Sequence, residues 1–540
     1  VEANNKDNSD MRHRIILIGL CFCLLSISSV EQTIKAHQLV EVAVPSSTEL
    51  QQIVRLGLDI WEVKDGKAMV YIWSAEELAQ LEARGISYRI IQPDRRSIYQ
   101  WLNIPLALPS DAGLFHTYDE VLTELDNLEA SYPDIAASVT IGTTYEGRSI
   151  AGLKISDNVT YDDPDEPIIL IFGCQHAREW ISVEVSLGVA KYLAEHYTTD
   201  TTIQYIVDSS ETYIFPMINP DGHSYCVSTD RLWRKNRKPN DDGITVGVDI
   251  NRNFSYNWEI GGSGTSPGSS TYRGPYPFSE QETLAIKNFV ELHPRVVAVI
   301  NYHSWGQDIL YAWAYTHTDA PNRMFLDGLA APVEAAIEAI HGSDYVRGQW
   351  ADILAYTGGG TTADWCNADI GVPCLTIELP PNTDPPGFVP PESAIEPAIQ
   401  ENVPGALWLM QWAINEWNNG GGVTVSNVQL SAITDTSVRI SWDADRASWG
   451  QIEYGTDAQY GSVTQIDKIP NLSHSMLVDG LLSGTTYHYC IVATDLGRRI
   501  TRSADGMFTT TGTPSRIDDW KQFEERANGA GSSASRLKTP

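Results

Sequence analysis

Ile168-Ile169-Leu170-Ile171-Phe172-Gly173 runs, two residues later, into His176-Ala177-Arg178-Glu179-Trp180. The first stretch is short and continuously apolar, the pattern of a strand buried on both faces of a sheet. The second sets a histidine and a carboxylate three apart, so both point the same way from one turn. Open α/β sheets build their sites at such strand ends. The pair fits two of the three protein ligands of a catalytic zinc, with the fourth position left to water. His-x-x-Glu is a short pattern that a surface pair satisfies equally well, so the rest of the chain must separate the two readings.

Further along, Asn301-Tyr302-His303-Ser304-Trp305 follows the apolar run Arg295–Ile300 and offers a third ligand, His303. Between about Gly113 and Trp417 strands and helices alternate. Tyr118–Tyr132 and Val183–Glu195 read as helices; Ala137–Ile141, Ser149–Ile155, Thr212–Pro216, Val296–Tyr302 and Cys374–Leu379 read as strands. Glu378 follows the apolar stretch Val372–Ile377, where a buried carboxylate without a role would be costly. Arg252 and Asn251 supply a planar guanidinium and an amide, a pair suited to a free carboxylate.

The ordered motifs Tyr145-Glu146-Gly147-Arg148, His176-x-x-Glu179, Asn219-Pro220-Asp221-Gly222, Arg231-Leu232-Trp233-Arg234-Lys235, Asp249-Ile250-Asn251-Arg252-Asn253, Asn301-Tyr302-His303-Ser304, Tyr356 and Thr376-Ile377-Glu378-Leu379 resemble the zinc metallocarboxypeptidases of the pancreatic A/B type, and the bacterial carboxypeptidase T-like branch most of all. The resemblance implies an α/β catalytic domain over 112–418, a central mixed β-sheet flanked by helices. It implies Zn2+ on His176, Glu179 and His303, Glu378 as general base, and Arg234 as stabiliser of the oxyanion. Arg252 and Asn251 would hold the substrate's C-terminal carboxylate. Arg148 would stand on the substrate's path, and Tyr356, beside Gly358-Gly359-Gly360, would fold over it. Asp221 would orient His176, although Asn-Pro-Asp-Gly is also an ideal turn. The position that selects basic C-terminal residues in the family is Ala363 here, with Thr361, Gly358, Ala355 and Thr376 as neighbours. That pocket reads as neutral and favours apolar or aromatic residues; Asp308 is the alternative that would admit basic ones.

The flanks read as follows. Met11-Arg12-His13-Arg14 and the apolar Ile15–Ile27 make a signal peptide over 11–30, short of the roughly 20 residues of a membrane span. Residues 31–111 are a prodomain and activation linker. Val40–Val44, Ser46–Leu58 (capped by Ser47), Ile60–Val63, Ala68–Trp73, Ser74–Arg84 (capped by Ser74) and Ile86–Ile91 give the ferredoxin-like α+β order βαββαβ. It resembles the prodomain of procarboxypeptidases. Arg95-Arg96 to Asp111 is a connector that an activating protease could cut. After Gly420-Gly421-Gly422 the period changes to two. Residues 419–512 resemble a fibronectin type III all-β sandwich, with Trp442 in the core and a tyrosine corner at Tyr487; 513–540 is a polar tail.

A chain of 540 residues exceeds one ordinary core, and a net charge of −32 argues against nucleic acid or an anionic membrane as partner. The mature protein holds no apolar stretch long enough to span a membrane. Seven cysteines give no framework, at most five remain after processing, and Cys366 and Cys374 are near enough in sequence to pair. Asp157, Asp162, Asp163, Asp165 and Glu166 read as a solvated acidic loop, with Ca2+ binding as the alternative. The expected partners are peptide or protein C-termini and the activating protease. The rivals are a deacylase or cell-wall peptide hydrolase on the same scaffold, which the Asn251-Arg252 pair opposes, and a non-catalytic binding protein, which would have lost a ligand or the base.

Overall fold

The computed structural model describes residues 37–105, 112–383, 385, 387–418 and 421–513. The signal stretch 11–30, residues 106–111 of the connector and the tail from 514 lie outside the described residues. The chain divides into two compact units, Val1–Asn418 and Asn419–Pro540.

The first unit opens on four antiparallel strands, β1 (Gln38–Ala43), β2 (Asp59–Lys64), β3 (Lys67–Ile72) and β4 (Tyr88–Gln92), in the order β2-β3-β1-β4. Alternating Val40, Val42, Val70 and Ile72 pack on Leu50, Ile53, Val54, Leu78 and Leu81 of two helices, Ser47–Val54 and Ala75–Ala83. This is the expected βαββαβ order. The first cap differs: Ser46, not Ser47, accepts the Thr48 N–H, because the helix begins at Ser47. Ser74 caps the second helix through the Glu77 N–H.

The connector is not all linker. Arg95–Trp101 is a helix with an Asp94/Ser97 capping box. Its Ile98 and Tyr99, with Leu102 and Ile104 beyond, are buried among Leu39, Trp61, Tyr71, Leu232 and Phe388. The Asp94 cap and this apolar set outweigh the two arginines that made the segment look like an exposed cut site.

The main sheet has eight strands: β5 (Ala136–Thr143), β6 (Ser149–Ile155), β7 (Ile168–Phe172), β8 (Glu211–Phe215), β9 (Val296–Ser304), β10 (Asp308–Tyr311), β11 (Val346–Gln349) and β12 (Cys374–Leu379). Their order is β11-β10-β12-β9-β7-β8-β6-β5. β12, β9, β7 and β8 run parallel, and β6 and β10 join antiparallel on either side, so the sheet is mixed. Ile168, Leu170 and Phe172 cluster with Ile286, Phe289 and Val290 of the helix Gln281–Leu292. The helices Ile181–His196, Arg323–His341 and Ile395–Asn418 pack on one another. β7 is apolar throughout because both faces of the sheet are covered there.

The second unit is all-β. β13 (Val425–Ser431), β14 (Val438–Gly455), β15 (Ser462–Val463), β16 (Asp467–Val478), β17 (Thr486–Asp495), β18 (Ile500–Arg502) and β19 (Gly506–Thr509) pair antiparallel. The two strands expected at Ser437–Trp442 and Gln451–Tyr454 are one: β14 carries β13 and β16 on its first half and β17 and β15 on its second. Residues from both halves, Val438, Ile440, Trp442 and Ile452, share one core with Tyr487, Tyr489 and Ile491. The Tyr487 hydroxyl accepts the Leu482 N–H at 2.9 Å, the corner expected there.

Candidate active site

The carboxyl ends of β7, β9 and β12 converge. Chain leaving β7 turns at Cys174, whose φ is 53°, and delivers His176 and Glu179 just ahead of the helix Ile181–His196. His303 lies inside β9, which runs to Ser304 and does not stop before it. His176 Nδ1 is 2.8 Å from Glu179 Oε1, His303 Nδ1 is 2.9 Å from Glu179 Oε2, and the two Nδ1 atoms are 3.1 Å apart. All three side chains are buried, and among the described residues theirs is the one cluster of His, Cys, Asp or Glu poised to hold a metal ion. Two imidazole nitrogens and a carboxylate aimed at one buried point form a donor set that fits a divalent cation such as zinc. Burial lowers His303 to about 4, which keeps its lone pair free for a metal.

The outer nitrogens are held too. His176 Nε2 lies 3.2 Å from Asp249 Oδ1, and His303 Nε2 lies 3.2 Å from Gln175 Oε1. Asp249, not Asp221, therefore orients His176. Asp221 starts the helix Pro220–Ser228 and accepts hydrogen bonds from Thr144 Oγ1, the Glu146 N–H and Arg148 Nη1. Asp249 also accepts from Arg234 Nε and Nη2 at 3.0 and 2.9 Å. Burial opposes its ionisation, but Arg234 and His176 together hold it well below the usual carboxylate range.

Glu378 on β12 is the register partner of His303 on β9. Burial, then Glu179 and Asp308, push its carboxyl well above the usual range against the pull of Arg234 and Arg252. Arg252 ends a short 3-10 turn; its Nη1 donates to the Asn251 carbonyl, and its buried Nε has no partner. The guanidinium reaches its place because residue 358 is glycine: a Cβ there would sit 3.0 Å from Arg252 Cζ. Asn251 Oδ1 accepts the Thr362 N–H, which ties Asn251 and its neighbour Arg252 to the helix Thr362–Trp365 that carries Ala363. Ala363 is buried in the core beside Phe254 and Trp365.

His176, Glu179, Arg234, Asn251, Arg252, Tyr356 and Glu378 line one cleft of about 220 Å³. Arg148 does not; its guanidinium pairs with Asp221 and Glu146. The same cleft is lined by Ile60, Trp61, Glu62 and Val63 of β2, so the N-terminal sheet lies across it. Arg178 Nη1 and Nη2 donate to Asp59 at 2.6 and 2.9 Å, and its guanidinium stacks 3.8 Å from the Phe388 ring centre. The sequence pattern singles out neither Arg178 nor Asp249, though each stands inside a motif, His176–Trp180 and Asp249–Asn253.

The acidic loop is answered by the chain's own cations. Lys154 Nζ donates to the carbonyls of Asn158 and Tyr161 and to Glu211, and Arg295 pairs with Asp162 and Glu211. The loop's carboxylates do not converge as a ligand set among the described residues. Cys366 and Cys374 are buried free thiols in contact with each other.

A family model described as zinc carboxypeptidase matches residues 121–405. Carboxypeptidase A1 of Rattus norvegicus is 31% identical over 422 residues, covering 74% of this chain and 99% of that protein. Carboxypeptidase B of Astacus astacus is 35% identical over 294 residues, covering 54% and 94%. Among solved structures, carboxypeptidase A from Helicoverpa armigera superposes with a TM-score of 0.60 at 26% identity, covering 71% of this chain and 98% of that one. Thrombin-activatable fibrinolysis inhibitor gives 0.58 at 26%, covering 70% and 99%.

Proposed function

The chain belongs to the zinc carboxypeptidase family, and we propose that it is a secreted proenzyme whose mature form releases apolar or aromatic C-terminal residues from peptides. The observation that carries this reading is the buried Arg252 Nε, which has no hydrogen-bond partner among the described residues, in the same cleft as Glu378, His176 and Glu179. A buried guanidinium with an open donor is built for an anion, and a peptide's free C-terminus brings one.

Zinc held by His176, Glu179 and His303 supplies, when bound, an acidified water and a Lewis acid for the scissile carbonyl. Glu378 takes the water proton on its carboxylate and passes it to the leaving amide nitrogen. Arg234, anchored through Nε and Nη2 on Asp249, keeps Nη1 to donate to the oxyanion. Arg252 and Asn251 fix the terminal carboxylate. Tyr356, which packs against the N-terminal sheet in the uncut chain, is released to cover substrate. Ala363 leaves the side-chain pocket without an acid. Arg148, tied to Asp221 and Glu146, serves the rim of the path and not the reacting bond.

Residues 31–111 act as the prodomain. β2 and Asp59 occupy the cleft until an activating protease cuts beyond Ile104, since Arg95 and Arg96 are held in a helix. The unit from Asn419 is an accessory module.

The test is release of Phe, Leu, Arg or Glu from N-blocked dipeptides by the full chain, before and after limited proteolysis, with and without a zinc chelator. Chelator-sensitive release of Phe and Leu that appears on cleavage supports the reading. Equal activity before and after cleavage removes the proenzyme part, and no release from any substrate removes the whole.

A further inference from the structure

Asp308 opens β10 directly opposite Glu378 on β12, and Leu310 with Thr376 forms the next pair along the two strands. Residues paired or two apart on neighbouring strands share a face, so all four side chains rise on the same side of the sheet. Asp308, Gly306 and Trp305 line the cleft that holds the metal cluster, Arg252 and Glu378; Leu310, Thr376 and Ala363 do not. Asp308 therefore belongs to the wall of this cleft, level with Glu378, while Ala363 lies in the core beside Phe254 and Trp365.

Room is made for this carboxylate. A Cβ on Gly306 would come within 2.5 Å of Asp308 Oδ2 and 3.6 Å of Glu378 Cβ. Asp308 is half-buried, and no hydrogen bond or ion pair within the described residues reaches it. Burial alone pushes it up to about 6, with no cation near enough to pull it back. No arginine of the cleft pairs with it: Arg234 holds Asp249, and Arg178 holds Asp59 for as long as the N-terminal sheet is in place. A half-buried carboxylate without a donor gains most from a cation brought to it. A substrate side chain can bring one.

The terminal residue is anchored at Arg252 with its side chain turned inward. Glu378 stands at the bond to be cut. On the carboxypeptidase reading, the residue on the far side of that bond would be the one placed beside the Asp308 wall of the cleft. We propose, resting on the carboxypeptidase reading above, that Asp308 selects a cationic side chain, lysine or arginine, on the penultimate residue of the substrate.

The experiment compares kcat/KM for N-blocked Ala-Phe, Lys-Phe, Glu-Phe and Ala-Lys, using the full chain after limited proteolysis and the variant Asp308→Asn. Removing this charge also alters Glu378, but equally for every substrate, so the ratio of Lys-Phe to Glu-Phe is the readout. The expected ratio is about tenfold or more in the wild type and close to one in Asp308→Asn. A wild-type ratio near one overturns the proposal without need of the variant, and so does a ratio that survives the substitution. Selective loss of Ala-Lys release in Asp308→Asn, with the Lys-Phe to Glu-Phe ratio intact, assigns the acid to the terminal residue and overturns it too. Absence of chelator-sensitive Ala-Phe release in the wild type removes the carboxypeptidase reading itself, and this proposal with it.

Discussion

Asp59 of the N-terminal sheet and Arg178 of the catalytic cleft form a two-point ion pair, 2.6 and 2.9 Å, with both side chains almost wholly buried. Arg178 sits between His176 and Glu179, so the pair pins β2 over their cluster with His303. Burial raises the cost of charging Asp59, yet Arg178 outweighs it and holds the carboxyl low. Removing one partner of such a pair costs about 3–5 kcal/mol because the other charge is left buried and alone. Asp59→Ala should therefore loosen the N-terminal sheet, and the uncut variant should hydrolyse blocked Ala-Phe at least about tenfold faster than the uncut wild type. Equal rates for the two uncut proteins would show that latency does not depend on this contact.

Glu378→Gln should keep the cleft's shape and its metal while losing the base. A positioned general base contributes about 10²–10⁴ in rate, so kcat should fall by that factor or more with metal content unchanged. Retained turnover in a variant that still binds one zinc would disprove the assignment of the base.

Much of this site was legible because its signals are local. An unbroken apolar strand, a His-x-x-Glu turn and an Asn-Arg pair each announce themselves within a few residues. What the sequence hid depends on tertiary placement. Asp221 and Asp249 both lie in polar motifs, and only the fold shows that Asp249 faces His176 while Asp221 faces Arg148. The helix Arg95–Trp101 was masked by its two leading arginines, since its burial comes from Leu232 and Phe388 far along the chain. β14 was split in two because Asp443–Gly450 carries no apolar alternation, yet its backbone bonds to β16 and β17 carry the strand through.

Asp249 bears on His176 from outside the metal cluster. Outer partners of a ligating histidine set its tautomer and orientation, and losing one typically weakens metal binding 10–100-fold. Asp249→Ala should raise the zinc dissociation constant by about that factor, read by chelator competition. Asp221→Ala should leave the constant as it was, since Asp221 does not touch the cluster. The reverse ranking would restore Asp221 as the orienting residue.

Arg252→Ala removes the charge that would bind the terminal carboxylate. The expected effect is mainly on KM for substrates with a free C-terminus, by about 10²-fold if one charge-assisted, partly buried bond of about 3 kcal/mol is lost. Arg252→Lys should recover only part of it, because a lysine cannot offer the planar two-point geometry. Identical cleavage of free and amidated C-termini by Arg252→Ala and wild type would show that the clamp lies elsewhere.

Glu77 makes the stability of the uncut chain depend on pH. Its carboxyl is buried at the edge of the N-terminal sheet; Oε2 accepts the Trp73 N–H at 2.7 Å, and Oε1 has no partner. Burial, only partly offset by that bond, raises it from an ordinary 4.5 to about 8. The folded chain thus keeps a proton that the unfolded chain releases. The stabilisation is complete below about 4.5, shrinks as pH rises, and is gone above about 8. Asp59 acts in the opposite sense: its carboxyl is lowered, so its contribution holds above 3.8 and is lost as pH falls. Glu77→Gln keeps the acceptor for Trp73 and cannot titrate. Between pH 5 and 8 the melting temperature of the uncut wild type should fall relative to that of Glu77→Gln, with the two differing by at most a few kcal/mol in stability. Parallel curves across that range would place Glu77's carboxylate, charged, in contact with water.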